Sequence, residues 1–186
     1  MQRLDTKKLA LASIFAGISA VFEIIPGPPF DIPFPLYDRV SWDLTGMPMM
    51  MSLLFTGPIG ALYTCLIGCS IIFLRGNIYG GTFKLIAELA TIFAFAAIRK
   101  GFITKTTAAV TSRVIVMTVA NYALLPVFYG MPTAFVVSIL PALAVMNGTQ
   151  ALINIIPAQV VYSKLADWWR LFIGEKKPLE PSALKS

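Results

Sequence analysis

The chain has 186 residues, of which 57% are hydrophobic and only 13% charged, whereas soluble domains carry about 25% charged residues. This composition indicates an integral membrane protein. The absence of histidine excludes Ser-His and Cys-His nucleophilic pairs and histidine-bound metals, and the absence of a phosphate-binding P-loop motif means that any ATPase activity must come from a partner.

Apolar segments interrupted by proline, glycine or charged residues predict an all-α protein with six transmembrane helices in one domain, residues 1–174. The helices are placed at about 7–25, 46–56, 58–74, 79–99, 105–128 and 134–166. Gly57-Pro58 divides one long apolar run into helices 2 and 3, because proline cannot continue a helix. Helix 6 exceeds one membrane thickness, so it must tilt, bend at Pro141 or Pro157, or extend into the cytoplasm. A disordered cytoplasmic tail is expected at 175–186.

The positive charges predict the orientation of the chain. Eleven of the fifteen Lys and Arg residues flank the same ends of the predicted helices, before helix 1, between helices 4 and 5, and after helix 6. Such residues accumulate on the cytoplasmic side, so both termini are expected there. The net charge of +6 therefore reflects topology, and no nucleic-acid partner is expected.

The connection between helices 1 and 2, from Pro26 to Leu44, contains five prolines and several aromatic residues. It cannot be helical, and connections of this length are often binding loops or lids. It therefore covers a pocket on the outer face, or it only packs on helix ends. Its candidate substrate-binding residues are Tyr37, Asp43 and Leu44.

Polar side chains within spans are costly and mark either a binding site or a helix contact. The candidates in helices 4 to 6 are Lys84, Glu88, Asn121, Asn147 and Gln150. Lys84 and Glu88 are four residues apart and either neutralise one another or bind a ligand. The amides suit a neutral heterocycle with carbonyl and ring-nitrogen groups, or they hydrogen-bond between helices. Asn154 is a further polar candidate in helix 6, as an alternative to Asn147.

Three further features have simpler interpretations. Arg113 is expected to extend towards the cytoplasmic interface, two turns away. Cys65 and Cys69 share a helix face, as half of a soft-metal site or, preferably, as small apolar residues; no metal is expected. Small residues at every fourth position of helix 1, Ala12, Ala16 and Ala20, allow another helix to approach closely.

Together these features resemble the substrate-binding S component of energy-coupling factor (ECF) vitamin transporters. These are small six-helix proteins with a long outer loop after helix 1 and an A-x-x-x-A motif in helix 1. The sequence is most similar to the riboflavin-binding branch. The matching stretches are Trp42–Pro48, Phe55–Gly60, Val116–Pro126, Tyr129–Met131 and Asn147. In that branch a helix 5 Asn and a helix 6 Asn-x-x-Lys pattern face the ligand; they correspond to Asn121 and to Asn147 with Gln150 in place of Lys.

The resemblance implies a subunit without enzymatic activity or cofactor that captures a water-soluble vitamin, riboflavin first, at a prokaryotic plasma membrane. It further implies a transmembrane scaffold (T) subunit docked on Ala12, Ala16 and Ala20, with two ABC-type ATPase subunits. The alternatives are another vitamin (thiamine, pyridoxine or pantothenate), a non-transport membrane assembly subunit, or a membrane enzyme that uses Lys84, Glu88 or Asp43 as acid or base.

Overall fold

The computed structural model describes residues 5–25 and 27–174, so the predicted tail at 175–186 lies outside the described residues. Within them, the chain forms six helices and one two-stranded antiparallel sheet. The elements are α1 Thr6–Ile24, β1 Asp31–Pro33, β2 Ser41–Asp43, α2 Gly46–Thr56, α3 Pro58–Leu74, α4 Ile78–Ala97, α5 Phe102–Tyr129 and α6 Thr133–Ile173. The two strands were not predicted.

The helices form a closed ring in the order α1, α3, α4, α5, α6 and α2, because each packs against the next. The short helix α2 also contacts α3 and α4, which makes it the most central element. Its Met49, Met50 and Leu53 lie in the main apolar core. Cys65 and Cys69 are free thiols buried in the same core, where they pack as small apolar side chains.

Three helices, α4, α5 and α6, are long and apolar enough to cross a membrane, which indicates a multi-pass membrane protein. The helices α2 and α3 are also apolar but shorter. Helix α6 contains 41 residues, about 60 Å, which is twice the thickness of the hydrocarbon core. It continues through Pro141 and Pro157 without interruption. The six-span topology stays a prediction.

The break between α2 and α3 follows from two adjacent residues. Gly57 has φ +87°, a conformation that favours glycine, and it ends α2. Pro58 occupies the first turn of α3, where its missing N–H has no helical partner to lose. The chain therefore passes from α2 to α3, which pack against each other, without a longer loop.

The bundle has two distinct ends. The loop end carries the segment between α1 and α2. The opposite, basic end carries the α4–α5 connection and the last turns of α6. At the basic end, Trp169 is buried (5% exposed) against Phe15 and Phe55, and its indole N–H donates to the Phe55 carbonyl oxygen at 2.9 Å. The α6 extension thus packs on the bundle.

The small-residue stripe of α1 has a different role from the one expected. Ala12 and Ala16 are 0% and 2% exposed, because α1 packs closely on α3. The Thr64 hydroxyl donates to the Ala12 carbonyl oxygen at 3.0 Å, and Gly60 lies opposite Ala12. The prediction that Ala12, Ala16 and Ala20 form a partner-docking face is therefore wrong for Ala12 and Ala16, whose small side chains serve the internal contact.

Candidate functional site

The loop after α1 folds into a compact hairpin. Strands β1 and β2 pair in antiparallel register, with Ile32 opposite Trp42. Phe34 is buried and makes an edge-on contact with the Trp42 ring, with the centroids 5.0 Å apart. The proline-rich sequence prevents a helix here, and the aromatic residues give the segment its own small core.

Helix α6 anchors β2 through two polar side chains. The Trp42 indole N–H donates to the Thr149 hydroxyl at 2.8 Å. The Gln150 amide accepts from the Asp43 backbone N–H at 3.1 Å and donates to the Asp43 carbonyl oxygen at 2.7 Å. Gln150 is fully buried by these contacts, so it positions the loop and lies outside the cavity lining.

A cavity of about 700 Å³ lies between this loop and helices α4, α5 and α6, within the size range of small-molecule sites. Loop residues 37–41 form one of its walls. Five of the eight predicted binding residues line it: Tyr37, Asp43, Lys84, Asn121 and Asn147. Leu44, Glu88 and Gln150 do not. Because the loop forms part of the wall, its role as a pocket cover is favoured over a cap on helix ends.

Four charged side chains beside the cavity form a chain of ion pairs from the loop to α5, here called the ionic cluster: Asp43, Lys84, Glu88 and Arg113. The Lys84 ammonium binds both Asp43 carboxylate oxygens and lies 3.5 Å from Glu88 Oε1. Arg113 Nη1 lies 2.9 Å from the same Glu88 oxygen. Two acids and two bases thus balance, which a buried cluster requires.

The expectation that the Arg113 side chain extends to the cytoplasmic interface is wrong. The residue is 2% exposed and points into the bundle, because Glu88 supplies a counter-charge there. The predicted pairing of Lys84 with Glu88 exists, but Lys84 contacts Asp43 more closely. Asn154 donates to both Glu88 oxygens at 3.2 Å. Asn154 therefore supports the cluster, and Asn147 is the helix 6 asparagine that lines the cavity.

Asp43 lies in the loop, at the junction of β2 with α2. Burial alone would raise the pKa of its carboxyl, but the Lys84 ammonium and the hydrogen bonds from Thr45 lower that pKa below its usual value. The Thr45 backbone N–H donates to Asp43 Oδ1 at 2.9 Å. Asp43 is therefore held as a carboxylate that joins the loop to α4.

Each of the two cavity-lining asparagines donates a side-chain hydrogen bond to the backbone carbonyl oxygen four residues before it. The Asn121 amide N–H donates to the Met117 carbonyl oxygen at 2.7 Å, and that of Asn147 donates to Leu143 at 2.9 Å. The Asn147 side-chain oxygen accepts from Arg113 Nε at 3.3 Å. The Asn121 side-chain oxygen makes no hydrogen bond within the described chain, so it offers a free acceptor to the cavity.

Arg113 was not predicted to line the cavity. The available signal was that an arginine within an apolar helix needs an acidic partner, and that Glu88 on the preceding helix was a candidate. The ion pair of Lys84 with Asp43, which lie 41 residues apart, was also not predicted.

No protein-family model matches the chain, and the comparison with curated proteins found no match. A solved structure, described as the S component of a bacterial ECF transporter, has a similar fold, with a TM-score of 0.72. The likeness covers 87% of this chain and 96% of that one, at 23% sequence identity. The chain therefore has the fold of an S component.

Proposed function

We propose that this chain is the substrate-binding subunit of an ATP-driven ECF-type importer in a prokaryotic plasma membrane, and that it captures a water-soluble vitamin, riboflavin first. One observation carries the proposal: a chain with an S-component fold encloses a cavity of about 700 Å³ directly beneath its long loop. The volume and the partly apolar walls are typical of small-molecule sites.

The chemistry of the cavity wall favours a flat, uncharged heterocycle. Apolar side chains, including Phe83, Met117 and Leu125, provide a surface for a ring system. Asn121 presents a free acceptor for a ligand N–H or O–H group. Riboflavin combines an extended ring system with carbonyl, N–H and hydroxyl groups, so it fits these requirements better than a small ionic vitamin.

In the proposed topology all six helices span the membrane and both termini are cytoplasmic. The loop end then faces outwards, and the ligand enters beneath loop residues 37–41. The subunit performs no covalent chemistry, since Asp43, Lys84 and Glu88 are committed to ion pairs. Energy comes from two ABC-type ATPase subunits through a transmembrane scaffold subunit.

The scaffold must dock on a surface other than the buried Ala12–Ala16 contact. The side of α1 next to this contact is exposed at Ser13, whose hydroxyl lies 3.2 Å from the Tyr63 hydroxyl of α3, and at Gly17, where an added side-chain carbon would meet nothing within 4 Å. We expect Gly17→Trp to abolish co-purification with scaffold and ATPase subunits while vitamin binding by the isolated subunit is retained. Loss of vitamin binding and thermal stability in this variant would contradict this docking face.

The binding proposal is tested with the full chain purified in detergent. Its absorbance spectrum should show flavin bands if the ligand co-purifies, and riboflavin fluorescence should be quenched on titration with stripped protein. Thiamine, pyridoxine and pantothenate are titrated by calorimetry in parallel. Binding of one of these in place of riboflavin would retain the importer and change its ligand, whereas binding of none, or chemical turnover of a vitamin, would contradict the proposal.

A further inference from the structure

We infer that Arg113 contacts the ligand and determines specificity, by donating a hydrogen bond from Nη2 to an uncharged acceptor at the inner end of the cavity. The inference deepens the proposed function and rests on it for the existence of a ligand. Three observations support the inference: the contacts of Arg113, its position at the cavity, and the charge balance of the ionic cluster.

The first observation concerns the unused hydrogen-bonding capacity of Arg113. Its Nε donates to Asn147, and its Nη1 donates to Glu88 at 2.9 Å and Thr91 at 3.2 Å. Its Nη2 donates to no group in the described chain. A donor that has no acceptor in the protein is hydrogen-bonded by water, or by a ligand acceptor that takes the place of the water.

The second observation places Nη2 at the cavity. Arg113 is 2% exposed overall, yet it is one of the residues that line the cavity. Among described residues, the only fully enclosed side-chain oxygen or nitrogen without a partner is the Thr106 hydroxyl. Nη2 of Arg113 is therefore accessible, and the space that it reaches is the cavity.

The other guanidinium contacts keep this donor in place. Glu88, Thr91 and Asn147 hold Nε and Nη1 from three positions on the helices α4 and α6. A flexible side chain would lose rotamer freedom on binding a ligand, but this one is ordered before the ligand arrives. Its hydrogen bond therefore adds affinity without that entropic cost.

The charge balance defines the class of the acceptor. Arg113 and Lys84 are already neutralised by Glu88 and Asp43, so a carboxylate or phosphate placed here would leave the cluster with excess negative charge. A carbonyl oxygen or ring nitrogen accepts the hydrogen bond without this cost. Asn121, eight residues along α5, offers an acceptor about 12 Å nearer the loop. The ligand therefore has an acceptor at its inner end and a donor towards the loop.

The test uses Arg113→Lys in the full chain, with riboflavin as the probe. Lysine retains the positive charge beside Glu88, but its single ammonium group has no counterpart of the Nη2 donor. We expect riboflavin affinity to fall by about tenfold to 150-fold, as for the loss of a hydrogen bond to a charged group. Because lysine also loses the hydrogen bonds to Asn147 and Thr91, the melting temperature should fall by a few degrees while the variant stays folded. Arg99→Lys at the basic end should bind riboflavin like the wild type.

A second measurement requires no variant. Phenylglyoxal modifies accessible guanidinium groups, and mass spectrometry reports the modification of Arg113. Saturating riboflavin should protect Arg113 at least fivefold, while the modification of Arg99 stays the same. If Arg113→Lys does not fold, this protection decides the question.

The outcomes separate the inference from the proposed function. Unchanged riboflavin affinity in a folded Arg113→Lys variant, or equal labelling with and without riboflavin, would overturn the inference alone. Binding of cationic thiamine or anionic pantothenate in place of riboflavin would also overturn it, while the importer function stands. A wild-type chain that binds none of the four vitamins would overturn both.

Discussion

The two ends of the bundle use opposite means to join distant parts of the chain. At the loop end, the ionic cluster of Asp43, Lys84, Glu88 and Arg113 connects the loop with α4 and α5. At the basic end, an aromatic cluster of Phe15, Phe55, Tyr162 and Trp169 connects α1, α2 and α6. The first cluster borders the cavity, and the second borders none of it.

The aromatic cluster and the ionic cluster contribute to the protein in different ways. Aromatic burial is favourable in itself and tolerates exchange between apolar side chains of similar volume. Buried charges are stable only as a complete set, and apolar residues of the same shape often stabilise a protein equally well. A charged cluster within apolar helices therefore points to a role beyond stability, and here that role is to order the loop and one wall of the cavity.

The largest expected effect comes from breaking the ionic cluster. Glu88→Ala leaves Arg113 buried without its counter-charge, so the free energy of unfolding should fall by about 3–5 kcal/mol. Denaturant unfolding in detergent measures this loss. Asp167→Ala, which removes an exposed ion pair with Arg170, should cost less than about 1 kcal/mol. Equal losses in the two variants would show that the buried cluster has no special contribution.

The next effect tests how tightly α2 packs over the same cluster. A side-chain carbon at Gly46 would lie 2.6 Å from Glu88 Oε2 and would also clash with the Asn154 amide. Gly46→Ala should therefore destabilise the protein by about 1–3 kcal/mol in thermal or denaturant unfolding. Gly17→Ala on the open face of α1 should be neutral or stabilising. A neutral Gly46→Ala would mean that Glu88 and Asn154 move apart easily.

The next prediction concerns ligand binding by the free side-chain oxygen of Asn121. Asn121→Ala should weaken riboflavin binding by about 1–3 kcal/mol, roughly fivefold to 150-fold, and leave the melting temperature nearly unchanged. Fluorescence titration measures the affinity. Tyr122→Phe, at the adjacent exposed position, should bind like the wild type. If the affinity of Asn121→Ala also stays the same, Asn121 is not part of the binding site.

The smallest effect belongs to the aromatic cluster. Trp169→Phe retains an aromatic ring but loses the hydrogen bond to the Phe55 carbonyl oxygen, so we expect a loss of about 1 kcal/mol. Trp168 is 62% exposed, and Trp168→Phe should change the free energy of unfolding by less. A loss of several kcal/mol in Trp169→Phe would show that the basic end resembles the loop end in its sensitivity.

Local signals in the sequence were sufficient for the helices and for the connection between α2 and α3. Gly57 and Pro58 end one helix and begin the next through their own backbone preferences. Polarity within apolar segments drew attention to Asn121 and Asn147, which line the cavity, and their role in ligand binding stays a prediction. The hairpin strands escaped detection, since three-residue strands with a proline carry almost no sequence pattern.

The sequence by itself determined where the chain is apolar, where each helix starts to within three residues, and which polar residues fall within the apolar helices. Only the tertiary structure decided which partner each polar residue has. Glu88 pairs with Arg113 across 25 positions, and Gln150 binds the Asp43 backbone across 107. Ala12 and Ala16 face α3 instead of a partner protein. Hydropathy and turn preferences act over a few neighbouring residues, whereas ion pairs and close helix contacts depend on how whole helices are arranged.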